Sequence, residues 1–178
     1  MIRRMRRVAV VGPGGAGKST FARALSGRLG IPVVHLDGHY WQPGWSATPL
    51  PVWRALQIEL LGGERWIADG NYGATFDIRF ERADTVIVLA PPRIVCLAGA
   101  LRRSLGRHGE PVQAAGCPER LDVGFLRWIW RYPAASRPRL DGALRRHGGR
   151  LRVVELRSRR EAAAFLAGLD EPRAPLGA

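Results

Sequence analysis

The sequence predicts an α/β fold: one parallel sheet of five strands with helices on both faces. Three observations carry this. Short β-branched runs alternate with stretches of helical periodicity, the pattern of repeated strand–helix–strand units. A glycine-rich loop joins the first run to the first helix. The length of 178 residues, 46% of them hydrophobic, suits about one domain, which buries roughly 70% of its unfolded surface without disulfides.

Arg7–Val11 is a β-branched run ending at glycine and reads as a buried strand. Residues 12–17 form a loop. Residues 18–29 read as a helix, with Phe21, Leu25 and Leu29 at i, i+4 and i+8, and Gly30-Ile31-Pro32 closing it. A second strand is expected over 32–37, and a loop rich in Trp, Pro and Gly over 38–51. A helix follows over about 51–61. Strands are expected over 65–69, 84–90 and 151–156, the second of these stopped by Pro91-Pro92. Helices are expected from there to about 107, over 122–131, 137–147 and 158–169. The stretch 107–139 has no strand signal and reads as a helical insertion, a lid on a core of 7–106 and 148–169. The tail 170–178 has the composition of disorder.

Composition excludes several classes. No apolar run approaches ~18 residues, so no membrane span is expected. The basic start, residues 1–7, is followed by only four apolar residues before Gly12-Pro13, too few for a signal-peptide core. Cys96 and Cys117 form no CxxC pair and no metal spacing, so reduced thiols and a cytoplasmic location are expected. The net charge is +13, from 27 Arg, one Lys and 15 acidic residues. The single lysine is Lys18. Arg is a planar fork and Lys a compact point charge on a thin stem, so Lys18 stands where a fork would not fit.

Gly12-Pro13-Gly14-Gly15-Ala16-Gly17-Lys18-Ser19 fits G-x-x-x-x-G-K-[ST], the P-loop. The inner Gly12-x-Gly14-x-x-Gly17 also fits the dinucleotide fingerprint, with Asp37 standing 20 residues past Gly17. A pyrophosphate needs only backbone N–H groups and a helix start. A triphosphate needs in addition a cation and a hydroxyl for Mg²⁺, which Lys18 and Ser19 supply. The expected ligands are therefore ATP and Mg²⁺, on Gly12, Gly14, Gly15, Ala16, Gly17, Lys18, Ser19 and Thr20.

Ligands of open α/β sheets bind beyond the carboxyl ends of the strands, where two carboxylates stand. Asp69 ends the third strand and is expected to serve the metal with Ser19. Asp37 ends the second and can accept a proton from a substrate hydroxyl, or orient it. Each is also a plausible turn residue before glycine. His35 and His39 read as structural. Tyr40, Trp41 and Trp45 either line an acceptor pocket or pack a loop core. Trp66, Trp128 and Trp130 read as core or helix-packing residues. Among the arginines of the insertion, Arg102, Arg103, Arg107, Arg127, Arg131, Arg137 and Arg139, two or three are expected to touch phosphate.

Gly12–Thr20, His35-Leu36-Asp37, Trp41-Gln42-Pro43-Gly44-Trp45, Trp66 to Tyr72, Gly116-Cys117-Pro118-Glu119, Trp128-Ile129-Trp130 and Ser136-Arg137-Pro138 together resemble the bacterial DNA topology modulation proteins, relatives of adenylate and shikimate kinases. The resemblance runs from Val8 to Leu166. It implies a P-loop NTPase core with strand order 2-3-1-4-5 and a lid after the fourth strand. Asp69-Gly70-Asn71-Tyr72 is similar in place to the Asp-Gly-Phe-Pro-Arg stretch of adenylate kinases. It lacks the Pro-Arg whose arginine grips a nucleoside monophosphate, which argues against a plain adenylate kinase.

The expected function is a small-molecule kinase, with Lys18, Asp37, Arg103 and Arg137 catalytic. Arg103, Arg107 and Arg159 would add to the nucleotide site, and Asp37, Tyr40, Trp41, Trp45, Asn71 and Tyr72 would hold the acceptor. The alternative is a nucleotide-dependent, DNA-associated ATPase. No recognition motif accompanies the basic charge, so specific nucleic-acid binding is not expected. The partners are then ATP and a small acceptor, with the chain a monomer or homodimer.

Overall fold

The computed structural model describes residues 5–106, 114–118 and 122–169. Five parallel strands form the sheet: β1 (Arg7–Val11), β2 (Val33–His35), β5 (Trp66–Asp69), β6 (Thr85–Leu89) and β7 (Arg152–Leu156). Their order is β2-β5-β1-β6-β7. Counting the parallel strands alone, this is second-third-first-fourth-fifth. β3 (Trp41–Gln42) and β4 (Ser46–Ala47) form a separate antiparallel pair that takes up two numbers in the chain.

β1 lies at the centre, and its last four residues are fully buried, as both faces of a parallel sheet require. Side chains alternate between the faces. On one, Ala9, Val11, Ala68, Val86 and Val88 pack against Phe76 and Phe80 of α4 (Phe76–Arg82) and Leu140 and Ala143 of α7 (Arg137–His147). On the other, Val8, Val10, Ile67, Ile87 and Leu89 pack against α1 (Lys18–Leu29) and α8 (Arg159–Ala167). α1 starts at Gly17 and ends at Gly30, both left-handed, and the Gly30 N–H bonds the Ser26 carbonyl. α5 (Arg93–Gly106) follows β6 and packs on α6 (Val123–Ala135) through Cys96, Ala100 and Ile129.

Several elements differ from expectation. The second strand ends at His35, and Asp37 opens a one-turn helix, α2 (Asp37–Tyr40). The expected loop continues into the β3–β4 hairpin, turned at Pro43–Trp45 by Gly44 (φ 77°) and Trp45 (φ 63°). α3 spans Leu50–Leu60. α4 carries no clear sequence signal because it is only seven residues long and one of its four buried positions is the charged Arg79, which breaks the apolar pattern. α7 is part of the core layer, so the insertion ends before Arg137. Trp66 is core, but Trp130 is 46% exposed, with the Arg93 guanidinium 3.9 Å above its ring. Arg107 and the tail 170–178 lie outside the described residues. Among the described residues, no helix is long and apolar enough to cross a membrane.

Arg79 is the least expected core residue. It is fully buried, donates to the carbonyls of Gly70 (2.6 Å) and Tyr72 (2.8 Å), and lies over the Phe76 ring. Burial pushes its guanidinium down to about 10. Those two bonds hold the turn that follows β5. Arg79→Met removes them and leaves two carbonyls without their donor, so stability should fall by about 2–4 kcal/mol in urea denaturation. An unchanged midpoint would mean that the turn holds itself.

Candidate active site

The phosphate loop is held by contacts too close for a side chain. A Cβ on Gly12 (φ 143°) would lie 2.2 Å from the Leu89 carbonyl oxygen, and one on Gly15 (φ 73°) would lie 2.0 Å from that of Cys96 in α5. The contact is mutual: a Cβ on Gly99 would lie 2.4 Å from the Gly15 oxygen. Asn71 ties the loop to the β5 side, its Oδ1 accepting from Gly12 N (3.2 Å) and from the Tyr132 hydroxyl (3.0 Å). No side chain caps the start of α1, so its first N–H groups are presented to an anion. The Lys18 ammonium donates to the Pro13 carbonyl at 2.9 Å.

The sheet register puts His35 and Val10 on either side of Asp69. Asp69 is 4% exposed, and His35 Nδ1 is 2.8 Å from its Oδ2. Burial alone would raise its pKa. The hydrogen bond with His35, the Lys18 charge and a hydrogen bond from Ser19 outweigh burial and hold it below the usual carboxylate range. Asp37 has the opposite balance. Burial dominates and raises its pKa, against the Tyr72 hydrogen bond and the charges of Lys18 and Arg103, while Asp69 repels it further. The Tyr72 hydroxyl donates to Asp37 Oδ1 at 2.5 Å, and burial beside that carboxylate pushes the phenol far above its ordinary value.

Both ends meet in one cavity of about 900 Å³. Of the expected site residues, Gly14, Gly15, Gly17, Lys18, Ser19, Thr20, Asp37, Trp41, Asn71, Tyr72, Arg103 and Arg159 line it. Gly12 and Asp69 lie behind the wall, and Ala16 packs into the core. Tyr40 is stacked among Trp41, Trp53 and Tyr72 rather than facing the cavity. Trp45 donates to the Pro118 carbonyl (3.1 Å) and packs edge-on to Trp41. All three rings of the loop are partly exposed and pack on one another or on neighbouring aromatics, and of the three Trp41 lines the cavity. Arg137 does not line this cavity; it is bonded to Asp141 and Glu155 at 2.7 Å each and lines a second, smaller pocket with Pro13 of the phosphate loop. Arg127 and Arg131 are exposed outside the cavity.

The cavity wall also includes residues that motif reading did not assign to the site: Arg23, Gly73, Phe76, Gly99, Phe125 and Trp128. Arg23 stands at i+4 from Ser19 on α1, a spacing that could have revealed it. Phe125 and Trp128 stack at 5.7 Å, and the Phe125 ring covers Gly14, where a Cβ would meet it at 2.4 Å.

No protein-family model matches the chain, and no curated protein matches it in sequence. Solved structures do. The chain is similar to a shikimate kinase from Acinetobacter baumannii in complex with shikimate, at 18% identity over 93% of this chain and 90% of that one, with a TM-score of 0.59. It is also similar to a gluconokinase from Sinorhizobium meliloti 1021, at 19% identity over 94% of each chain and a TM-score of 0.56. A deoxyadenosine kinase from M. mycoides with dCMP and dCDP matches at 14% identity over 92% of this chain and 98% of that one, with a TM-score of 0.50. The chain therefore has the fold of the small P-loop kinases.

The Gly15–Gly99 contact generates a prediction. In a helix interior, alanine is more stable than glycine by about 0.5–1 kcal/mol. Gly27 of α1 has open space around its missing Cβ, so Gly27→Ala should gain that stability and leave MgATP binding alone. Gly99→Ala should instead push the Gly15 backbone aside and weaken MgATP binding by about 10- to 100-fold. Calorimetric titration of both variants checks this. Binding by Gly99→Ala at the parent's strength would mean the contact does not set the loop.

Proposed function

We propose that the protein is a small-molecule kinase, transferring the γ-phosphoryl group of ATP to a hydroxyl or phosphate of a nucleoside, nucleotide or other small metabolite. The observation that carries this reading is Asp37. A half-buried carboxylate shares one cavity with the phosphate loop and Lys18, accepts a hydrogen bond from Tyr72, and lies beside an aromatic wall. An ATPase acting on water alone has no use for that second half of the cavity.

The loop N–H groups and the start of α1 bind the phosphates. Lys18 donates to the neutral Pro13 carbonyl and would exchange that contact for a charged phosphate oxygen, the stronger acceptor. Ser19 and Asp69 fit a magnesium ion. Both are oxygen donors, they are already hydrogen-bonded to each other, and Asp69 is held ionised. Among the described residues no group of three or more His, Cys, Asp or Glu could hold a metal, which accords with a cation carried largely by phosphate. When bound, that ion neutralises charge on the β- and γ-phosphate oxygens. Asp37 holds the acceptor hydroxyl and takes its proton as the new O–P bond forms and the bond to the β-phosphate oxygen breaks, releasing ADP. Arg103, whose charge reaches Asp37, steadies the phosphoryl group in transit. Both cysteines are free and buried, which suits a reducing cytoplasm.

Lys18→Arg keeps the charge but not the shape and should abolish most ATP turnover; turnover at the parent rate would sink the assignment. Asp37→Asn should cut transfer by about 10²–10⁴-fold with an unchanged Mg²⁺ midpoint, while Asp69→Asn should shift that midpoint. A Mg²⁺ titration of nucleotide binding and turnover reads both, and the reverse pattern would exchange the two roles. The pH profile gives a further test. Asp37 must be ionised to act, so activity falls as pH drops through its raised pKa. The Tyr72 hydrogen bond favours the ionised form, so Tyr72→Phe should move the acid limb of kcat/KM to higher pH. A limb that stays or moves down would remove Asp37 from the reaction.

A further inference from the structure

Resting on the kinase reading, which gives the cation to Ser19 and Asp69, we propose that His35 is a positioning residue for that cation: its ring holds the Asp69 carboxylate in the orientation that serves the metal. His35 Nδ1 lies 2.8 Å from Asp69 Oδ2. Asp69 is held ionised, and an ionised carboxylate only accepts hydrogen bonds, so Nδ1 carries the hydrogen and donates it.

The backbone cannot supply this orientation. His35 and Asp69 are partners across the parallel β2–β5 ladder. The Asp69 carbonyl accepts from Leu36 N (3.0 Å), and the next amide, Gly70 N, donates to the Val10 carbonyl (3.2 Å). These bonds fix the Asp69 main chain between its two neighbouring strands. The last torsion of an aspartate is broad, however, so the plane of the carboxylate is set by what bonds its oxygens. A carboxylate free to turn has the Lys18 ammonium as a competing partner, since that charge already acts on it. The Lys18 ammonium now donates to the Pro13 carbonyl, while Asp69 Oδ2 is taken by the ring. Ligands of a metal are commonly fixed in this way by partners that do not themselves touch it.

The place of the ring argues against a packing role. The His35 side chain is 39% exposed, against 5% for Asp69. β2 is an edge strand of three residues, none of them buried. A ring so exposed at a strand end buries little apolar surface, and its main local contribution is the hydrogen bond. His35 does not line the phosphate-loop cavity, so it acts through Asp69 and not on the nucleotide. A lone histidine two residues before Asp37 reads as structural in the sequence. Only the strand register brings it to the other carboxylate.

The test is ATP binding followed by calorimetry at increasing Mg²⁺, with ATP in excess EDTA as the metal-free control. His35→Phe keeps a ring and removes the donor. It should raise the Mg²⁺ midpoint by about 10-fold and leave metal-free ATP affinity unchanged. His35→Asn puts an amide N–H near the place of Nδ1 and should recover most of that shift. In an Asp69→Asn background, His35→Phe should add nothing, because the residue it acts through is already lost. A Phe variant without a melting transition is replaced by His35→Ala, which crowds nothing and is read in the same way. The proposal is overturned if loss of the donor leaves the midpoint in place, if His35→Asn fails to recover it, if the full shift persists in the Asp69→Asn background, or if metal-free ATP binding weakens equally. An Asp69→Asn variant with the parent's midpoint would take down the metal assignment of the kinase reading and this inference together. A shift with Asp69→Asn and none with His35→Phe takes down the inference alone.

Discussion

The phosphate loop has no room to move, and most of the site follows from that. Gly12 lies against the end of β6 and Gly15 against α5, at distances that exclude even a methyl group. These are backbone contacts, so they fix the path of the loop rather than the rotamer of a side chain. The same α5 turns that press on Gly15 lead directly to Arg102 and Arg103, so loop and arginines are set by one packing event. α6 closes the arrangement from above by laying Phe125 on Gly14.

A parallel sheet then determines what faces the loop. Because β1 is central, the ends of β2 and β5 open on one side of it, and Asp69 at the end of β5 and Asp37 just beyond β2 come into its field. Asp69 is buried and Asp37 is partly exposed at the cavity wall, and their pKa values shift in opposite directions. Asp69 is bonded to His35 and Ser19 and stays ionised. Asp37 accepts a hydrogen bond from the Tyr72 hydroxyl and feels Asp69 as a like charge. Two carboxylates with separated pKa values can divide the work, one serving a cation and the other a proton. Behind them Arg79, wholly inside the core, holds the Gly70–Tyr72 turn that carries both Asn71 and Tyr72.

Where side-chain pattern and backbone chemistry agree, the sequence is readable. β1 and α1 stand at their expected limits, because a β-branched run, a glycine loop and an i, i+4 stripe each point the same way. Asp37 and Asp69 are legible as candidates because open sheets bind ligands beyond their strand ends; Asp69 ends β5, and Asp37 follows the end of β2 by two residues. The misses share one cause: they depend on contacts between segments distant in the chain. Nothing local distinguishes Gly99 from a poorly chosen helix residue until Gly15 is seen beneath it. Arg137 and Arg139 look equivalent around Pro138, and Asp141 on the same helix together with Glu155 on β7 separates them. Tyr40 and Trp45 have the composition of a binding loop, but Trp53, Tyr72 and Pro118 occupy their faces. Helix α4 hides its period because it is short and places a charged residue, Arg79, on its buried side.

The central claim is that this cavity passes a phosphoryl group to a small acceptor rather than to water. The most direct measurement uses ATP labelled with ¹⁸O in its γ-phosphoryl group, incubated with the protein, Mg²⁺ and a mixed pool of small metabolites, followed by mass spectrometry of every labelled product. The account predicts the three terminal labelled oxygens together in one phosphorylated small molecule, with a lesser share in inorganic phosphate. Label found in inorganic phosphate alone, whatever the pool offered, would contradict it.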